Sequence, residues 1–329
     1  SSTSGSVIGG GVLTGNATKN NVTINATSVG GNIYGGFAIN ASGATFKNLS
    51  NGSLEFVSIS KLASRADENV IKLDGVTTTG AKNYTLLKIP FDTEGNVIGG
   101  YAGSEGAAKN NVTINDTTKK TSNIGGSLVG GASFWGNVTG NNVTVVGKTT
   151  DGKNITKVNG AVLGGVAFNG SVLSNIVNLS GVNVTGETKE LTFYRGNETK
   201  DGSLPDGKFS AGGSLIGGYS QNSTNQSAGL NQVIFANGNL AGSVVGGYTT
   251  DGAAFNNTVK LDNVSKVGGN IYGGVAKNTT VVSYQTALNN TVTLSGVSTT
   301  SGGNISADGK LIATYGNVIG GFGMAASLN

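Results

Sequence analysis

The chain has no cysteine and no histidine in its 329 residues. The first absence excludes disulfides and thiolate metal sites, and the second removes the commonest general base and transition-metal ligand. Much familiar enzymology is excluded with them. Proline occurs twice, charged residues make up 12% and the formal charge is +4, a composition unlike that of collagen or of a highly charged disordered chain. The positive surplus is spread out with no run of lysines, which argues against nucleic acid as a partner. No apolar run approaches the roughly 20 residues of a membrane helix, so neither a membrane-spanning segment nor a signal peptide is expected in these residues. The single methionine is Met324, and the sequence is therefore expected to be a processed or excised piece.

What is abundant is glycine, 57 residues of it, together with asparagine, threonine and serine. They fall into two alternating phrases. An apolar pair running into Gly-Gly recurs as "SVIGGG", "NIYGGF", "NVIGGY", "SLVGGA", "AVLGGV", "SLIGGY", "SVVGGY", "NIYGGV" and "NVIGGF", with first glycines at Gly9, Gly35, Gly99, Gly130, Gly164, Gly217, Gly246, Gly273 and Gly320. Each of the gaps between them holds one asparagine anchor: Asn20, Asn69, Asn110, Asn141, Asn175, Asn231, Asn257 or Asn290. The shortest repeat, Gly9 to Gly35, is 26 residues, the length of one solenoid coil.

Two residues after each anchor stands Val22, Ile71, Val112, Val143, Val177, Val233, Val259 or Val292, and two further on another apolar side chain, from Ile24 to Leu294. The residue between is mostly polar, as in Thr23, Lys72, Thr113 and Thr144. This period of two is that of a strand with one buried face. Thr, Val and Ile favour strands and glycine interrupts every unit, so a helix is a poor reading. The pattern predicts an all-β fold, a right-handed parallel β-solenoid with about three short strands per coil, spanning residues 1–329 as a single domain. The handedness follows from the general rule for crossovers. The anchors are expected to form an amide ladder from coil to coil. The glycine pair is expected to bend the chain or narrow the tube. Asp-Gly phrases such as "TTDGKNITKVNG" are read as turns leading into a third strand.

Three repeats are long. Residues 38–68 and 70–96 read as insertions in one unit and 183–212 as a hairpin-like insertion in another, and both arginines and both prolines fall there. Insertions in repeat proteins map to loops, often on the binding face. The candidate binding residues are therefore Arg65, Asp67 and Glu68 in the first and Phe193, Tyr194 and Arg195 in the second, arginine and aromatics being common interface anchors. Against this stands the plainer reading of solvated loops whose charges keep the chain soluble. Trp135, the only tryptophan, follows a glycine pair; it would stack on a sugar or protein partner, or pack over the coil edge. About twenty Asn-x-Ser/Thr sequons occur, many where strand alternation already accounts for an outward threonine.

The alternating phrases resemble the Gly/Asn-rich, adhesin-like passenger regions of bacterial autotransporters (type V secretion). The resemblance implies a β-helical passenger at the bacterial cell surface or outside it, without enzymatic activity, adhering to host or bacterial surface protein or glycan, or to copies of itself. The chain departs from the family in having no membrane barrel, no signal peptide and no Asp-His-Ser set. No cofactor and no metal is expected, because the glycine pairs are followed by Tyr, Phe, Val or Ala instead of the aspartate of calcium-binding β-rolls. Two alternatives compete: a structural fibre subunit stacking end to end, and a polysaccharide lyase or glycosidase, whose paired carboxylates "RADE" and "FDTE" would have to supply.

Overall fold

The structure, a computed structural model, describes residues 2–12, 15–38, 45–48, 54–58, 64–79, 95–117, 121–147, 149–150, 153–154, 156–187, 190–193, 207–210, 212–221, 226–277, 286–299 and 316–324. All its regular elements there are strands. The Asn-x-Val phrases form an eight-stranded sheet, from Asn21–Asn25 through Asn142–Val146 to Thr291–Ser295. Every neighbouring pair is parallel and in register, so that Val22 lies beside Ile71, Val112 beside Val143, and Val259 beside Val292. The glycine phrases form a nine-stranded parallel sheet, from Val7–Val12 through Leu128–Ser133 to Val318–Met324. The fold is a parallel β-solenoid.

Two narrower parallel sheets join these walls. One, of six strands, follows the glycine strand and includes Gly106–Ala108 and Asn137–Thr139; the other, of eight, precedes it and includes Ser28–Val29 and Thr156–Val158. A coil thus has four faces, two broad and two only two or three residues wide. Strands so short have no periodicity to read. The phrase "TTDGKNITKVNG" does end in a further strand, Thr156–Val158 of the eight-stranded narrow sheet, preceded by a hairpin. Thr149–Thr150 pairs antiparallel with Lys153–Asn154, and Gly207–Ser210 pairs antiparallel with Glu190–Phe193. Both are hairpins outside the parallel walls, as is the pairing of Thr45–Asn48 with Leu54–Ser58.

The main core lies inside the tube, where Val112, Val143, Val177 and Val233 of the valine sheet meet Val97, Leu128, Val162 and Leu215 of the glycine sheet. A second buried cluster lies on the other face of the glycine sheet. It takes Tyr34 with Phe37, Ile98 with Tyr101, and Ile216 with Tyr219. These partners are three apart, and strict alternation would put them on opposite faces. The alternation is therefore reset across the glycine pair. Aromatic rings stack along this face: Phe37 on Tyr101 at 5.5 Å, Phe134 on Phe168 at 5.3 Å and Tyr219 on Tyr248 at 4.9 Å.

The paired glycines do not turn the chain. None of them has positive φ, and they stand inside six- or seven-residue strands. The corner is one residue before each anchor, where Lys19, Glu68, Lys109, Gly140, Ser174, Leu230, Asn256 and Asn289 all adopt φ between 51° and 64°. Glycine is needed at the pair for close approach instead. A Cβ on Gly130 would stand 2.4 Å from the carbonyl oxygen of Gly164 in the next coil, and one on Gly131 would stand 2.6 Å from the Asn141 amide. The pair makes the cradle in which the anchor asparagine lies.

Candidate functional site

Each anchor follows a left-handed corner that turns its side chain under the glycine strand, where Asn69, Asn110, Asn141, Asn175, Asn231 and Asn257 are wholly buried. The backbone N–H and the Nδ2 of Asn110 both donate to Oδ1 of Asn141, each at 2.9 Å. Asn141 donates in the same way to Asn175 at 3.0 and 2.9 Å, and Asn231 to Asn257 at 3.0 and 3.0 Å. The second Nδ2 proton goes to a carbonyl of the preceding coil, Ala107 for Asn141 and Val172 for Asn231, at 2.9 and 3.0 Å. An internal anchor therefore uses both side-chain donors and both acceptor directions, so its burial leaves no polar group unsatisfied. The ladder runs from Asn20 to Asn290.

A second polar column escaped the sequence reading. Oδ1 of Asn32 accepts the Asn96 N–H at 2.7 Å, Asn96 accepts the Ser127 N–H at 2.7 Å, and Ser127 Oγ accepts the Ala161 N–H at 3.0 Å. Its signal was present, since Asn or Ser stands directly before the apolar pair in "NIYGG", "NVIGG" and "SLVGG". Asp116 is a further hub. Its carboxylate accepts the Gly75 N–H, the Ser122 N–H and the hydroxyls of Ser122 and Thr156 at 2.5 to 3.2 Å, joining three coils.

The candidate binding residues are placed apart. The coil resumes at Ser64, so Arg65, Asp67 and Glu68 stand on its wall and not on a loop above it. Arg65 Nε lies 3.1 Å from Asp67 Oδ2, Asp67 Oδ1 accepts the Ala108 N–H at 2.8 Å, and Glu68 lies 3.8 Å from Lys19. Their charges are answered within the coil. Trp135 is half-buried, packed against the outer cluster with its ring edge-on to Phe134 at 5.2 Å. Phe193 ends a strand of the Glu190–Phe193 hairpin, whereas Tyr194 and Arg195 lie outside the described residues. No element brings the three groups together. On the outer face of the valine sheet Thr23, Lys72, Thr113, Thr144, Asn178, Ile234, Lys260 and Thr293 form one column.

The ladder asparagines are never sequons, because the residue two further on also faces inward and must be apolar. Sequon asparagines such as Asn21, Asn111 and Asn142 face outward. Among the described residues no group of three acidic side chains converges as a metal site would require, and no helix is long and apolar enough to cross a membrane. The resolved pKa shifts belong to tyrosines: burial raises Tyr101, Tyr219 and Tyr272, and pushes Tyr248 up to about 12. Comparison with protein families, curated proteins and solved structures gives no match.

Proposed function

We propose that the chain is a rod segment of a non-enzymatic adhesin, exposed at the bacterial surface in the manner of an autotransporter passenger, which engages a surface protein, a glycan or copies of itself. The observation that carries this reading is the division of labour between wall and hairpins. The ladders, glycine cradles and buried rows consume the inward-facing chemistry of each coil in holding its neighbours. The chain departs from the repeat in antiparallel hairpins, of which Glu190–Phe193 with Gly207–Ser210 is the longest-reaching in sequence. Variation of this kind is where repeat proteins carry recognition.

The hairpin can be removed without opening the coil. A Cβ on Gly186 would lie 3.0 Å from the Gly213 nitrogen, so the two ends of the excursion touch. Replacing residues 188–211 by a two-residue glycine link is expected to leave the melting temperature and strand spectrum nearly unchanged, since solenoid stability is a sum over neighbouring coils. Adhesion to intact cells, measured beside the wild type, is expected to fall. Joint replacement of Phe193, Tyr194 and Arg195 by alanine is expected to weaken it by about 30-fold, the loss of a hot-spot cluster worth about 2 kcal/mol. Normal adhesion by both variants would move recognition from the hairpin to the wall.

A further inference from the structure

We propose that the ridge around Trp135, where the glycine sheet passes into the six-stranded narrow sheet, is a subsite for a neutral pyranose glycan; the inference rests on the adhesin reading. Register places the residues. Asn137 pairs with Gly106 of the preceding coil and Val138 with Val172 of the next. Glu105 therefore lies beside Gly136 on one side, and Asn169 beside Trp135 on the other, each one strand spacing away, about 4.8 Å.

The indole is fixed before any ligand arrives. It stands edge-on to Phe134, which is itself stacked on Phe168, and only part of it is covered. The backbone beside it is bare of side chains. Gly136 and Gly170 follow Trp135 and Asn169, and a Cβ on either would lie 2.2 Å from backbone of the preceding coil. Both glycines are themselves buried, so close approach of the coils keeps side chains away from the ring and leaves the uncovered part of the indole as the flat surface. The C–H face of a sugar ring matches such a surface, and a ring already held in place loses little freedom on binding.

Three polar side chains stand around the indole. Asn137 is exposed and uses its Oδ1 on the Ser171 N–H at 2.9 Å; neither its amide nitrogen nor the side chains of Asn169 and Glu105 meet a protein partner among the described residues. Two amides and a carboxylate offer the mixed donors and acceptors that vicinal hydroxyls require. The Glu105 charge also sets a preference, because it repels sulfated or carboxylated sugars. Among the described residues the side chains of Asn169 and Glu105 make no bond that joins the coils, and that of Asn137 joins them through its Oδ1 alone.

The sole tryptophan makes the test direct. The intact protein is titrated with cellohexaose, maltohexaose and chitohexaose, and with polygalacturonate as the anionic arm, while indole fluorescence and binding heat are followed. At least one neutral oligosaccharide should change the fluorescence saturably, at dissociation constants between about 10 μM and 10 mM. Trp135→Ala should weaken that binding at least tenfold by calorimetry, and Glu105→Gln or Asn137→Ala severalfold. Trp135→Phe, which keeps a ring over Phe134, should retain the fold with intermediate affinity if the alanine variant unfolds. No response to any neutral probe, a response to polygalacturonate alone, or undiminished binding by folded Trp135 variants would overturn the subsite. Cell adhesion that persists without a glycan response would leave the adhesin reading standing and remove only this subsite.

Discussion

Leu230 occupies a corner that costs it energy. It adopts φ of 58° and is 47% exposed, and a branched side chain in the left-handed region costs about 1 kcal/mol or more. The equivalent corners of the next two coils are Asn256 and Asn289, a residue type that accepts this conformation readily. Leu230→Asn gives up little burial and creates no sequon, because Gln232 stands two places on. It is expected to raise the unfolding free energy by about 0.5 to 1 kcal/mol, measured by denaturant titration. A loss of stability would show that the leucine packs in a way its exposure does not suggest. The same corner explains why the sequence leaves bend and close approach both open at the glycine pair, of which the structure bears out the second. Positive φ and close approach leave the same residue in the sequence, and five of the eight corners fell to Lys, Glu, Ser and Leu, which carry no mark of it, against Gly140, Asn256 and Asn289.

At the scale of the element, the glycine sheet differs from the valine sheet in being buried on both faces. Its outer face holds the tyrosines whose ionisation burial opposes, and this gives the fold an alkaline limit. Their folded pKa values lie above the unfolded value near 10, so the stabilisation is complete below pH 10 and is lost as pH rises through the folded values. Between about pH 10 and 12 each of Tyr101, Tyr219 and Tyr248 should lower stability by up to about 1.4 kcal/mol per pH unit, as the unfolded chain ionises and the folded one does not. Melting temperatures across that range should fall more gently in Tyr219→Phe and Tyr248→Phe than in the wild type, and parallel curves would contradict the assignment. The valine sheet was legible in the sequence because five-residue strands repeat one inward pattern in every coil. The outer cluster was not, since its pairs, such as Ile98 and Tyr101, break period two at the glycines. The Arg65 group was assigned to a loop for a related reason: the spacing from glycine to anchor gives the length of an insertion but not where the coil resumes.

For the whole molecule, the parallel walls supply the backbone pairing while the amide ladder fixes one coil upon the next. A slip of one residue would bring Gly140 or Asn142 to the cradle of Gly130 and Gly131 where Asn141 belongs and turn Val143 out of the core. The ladder should therefore matter most where it is continuous and dry. Asn141→Ala leaves the N–H and one Nδ2 proton of Asn110 without partners in a wholly buried column, while Asn175 Oδ1 keeps only the backbone N–H of residue 141. At about 1 to 2 kcal/mol for each of the two orphaned donors, the expected cost is about 2 to 4 kcal/mol. Asn290 is only partly buried, with its bonds to Asn257 and Ala254 in reach of water, so Asn290→Ala should cost about 1 kcal/mol. Equilibrium unfolding of these two variants beside the wild type tests the ladder most directly: a large loss for Asn141→Ala and a small one for Asn290→Ala is the predicted result, and equal losses, or wild-type stability in Asn141→Ala, would contradict it.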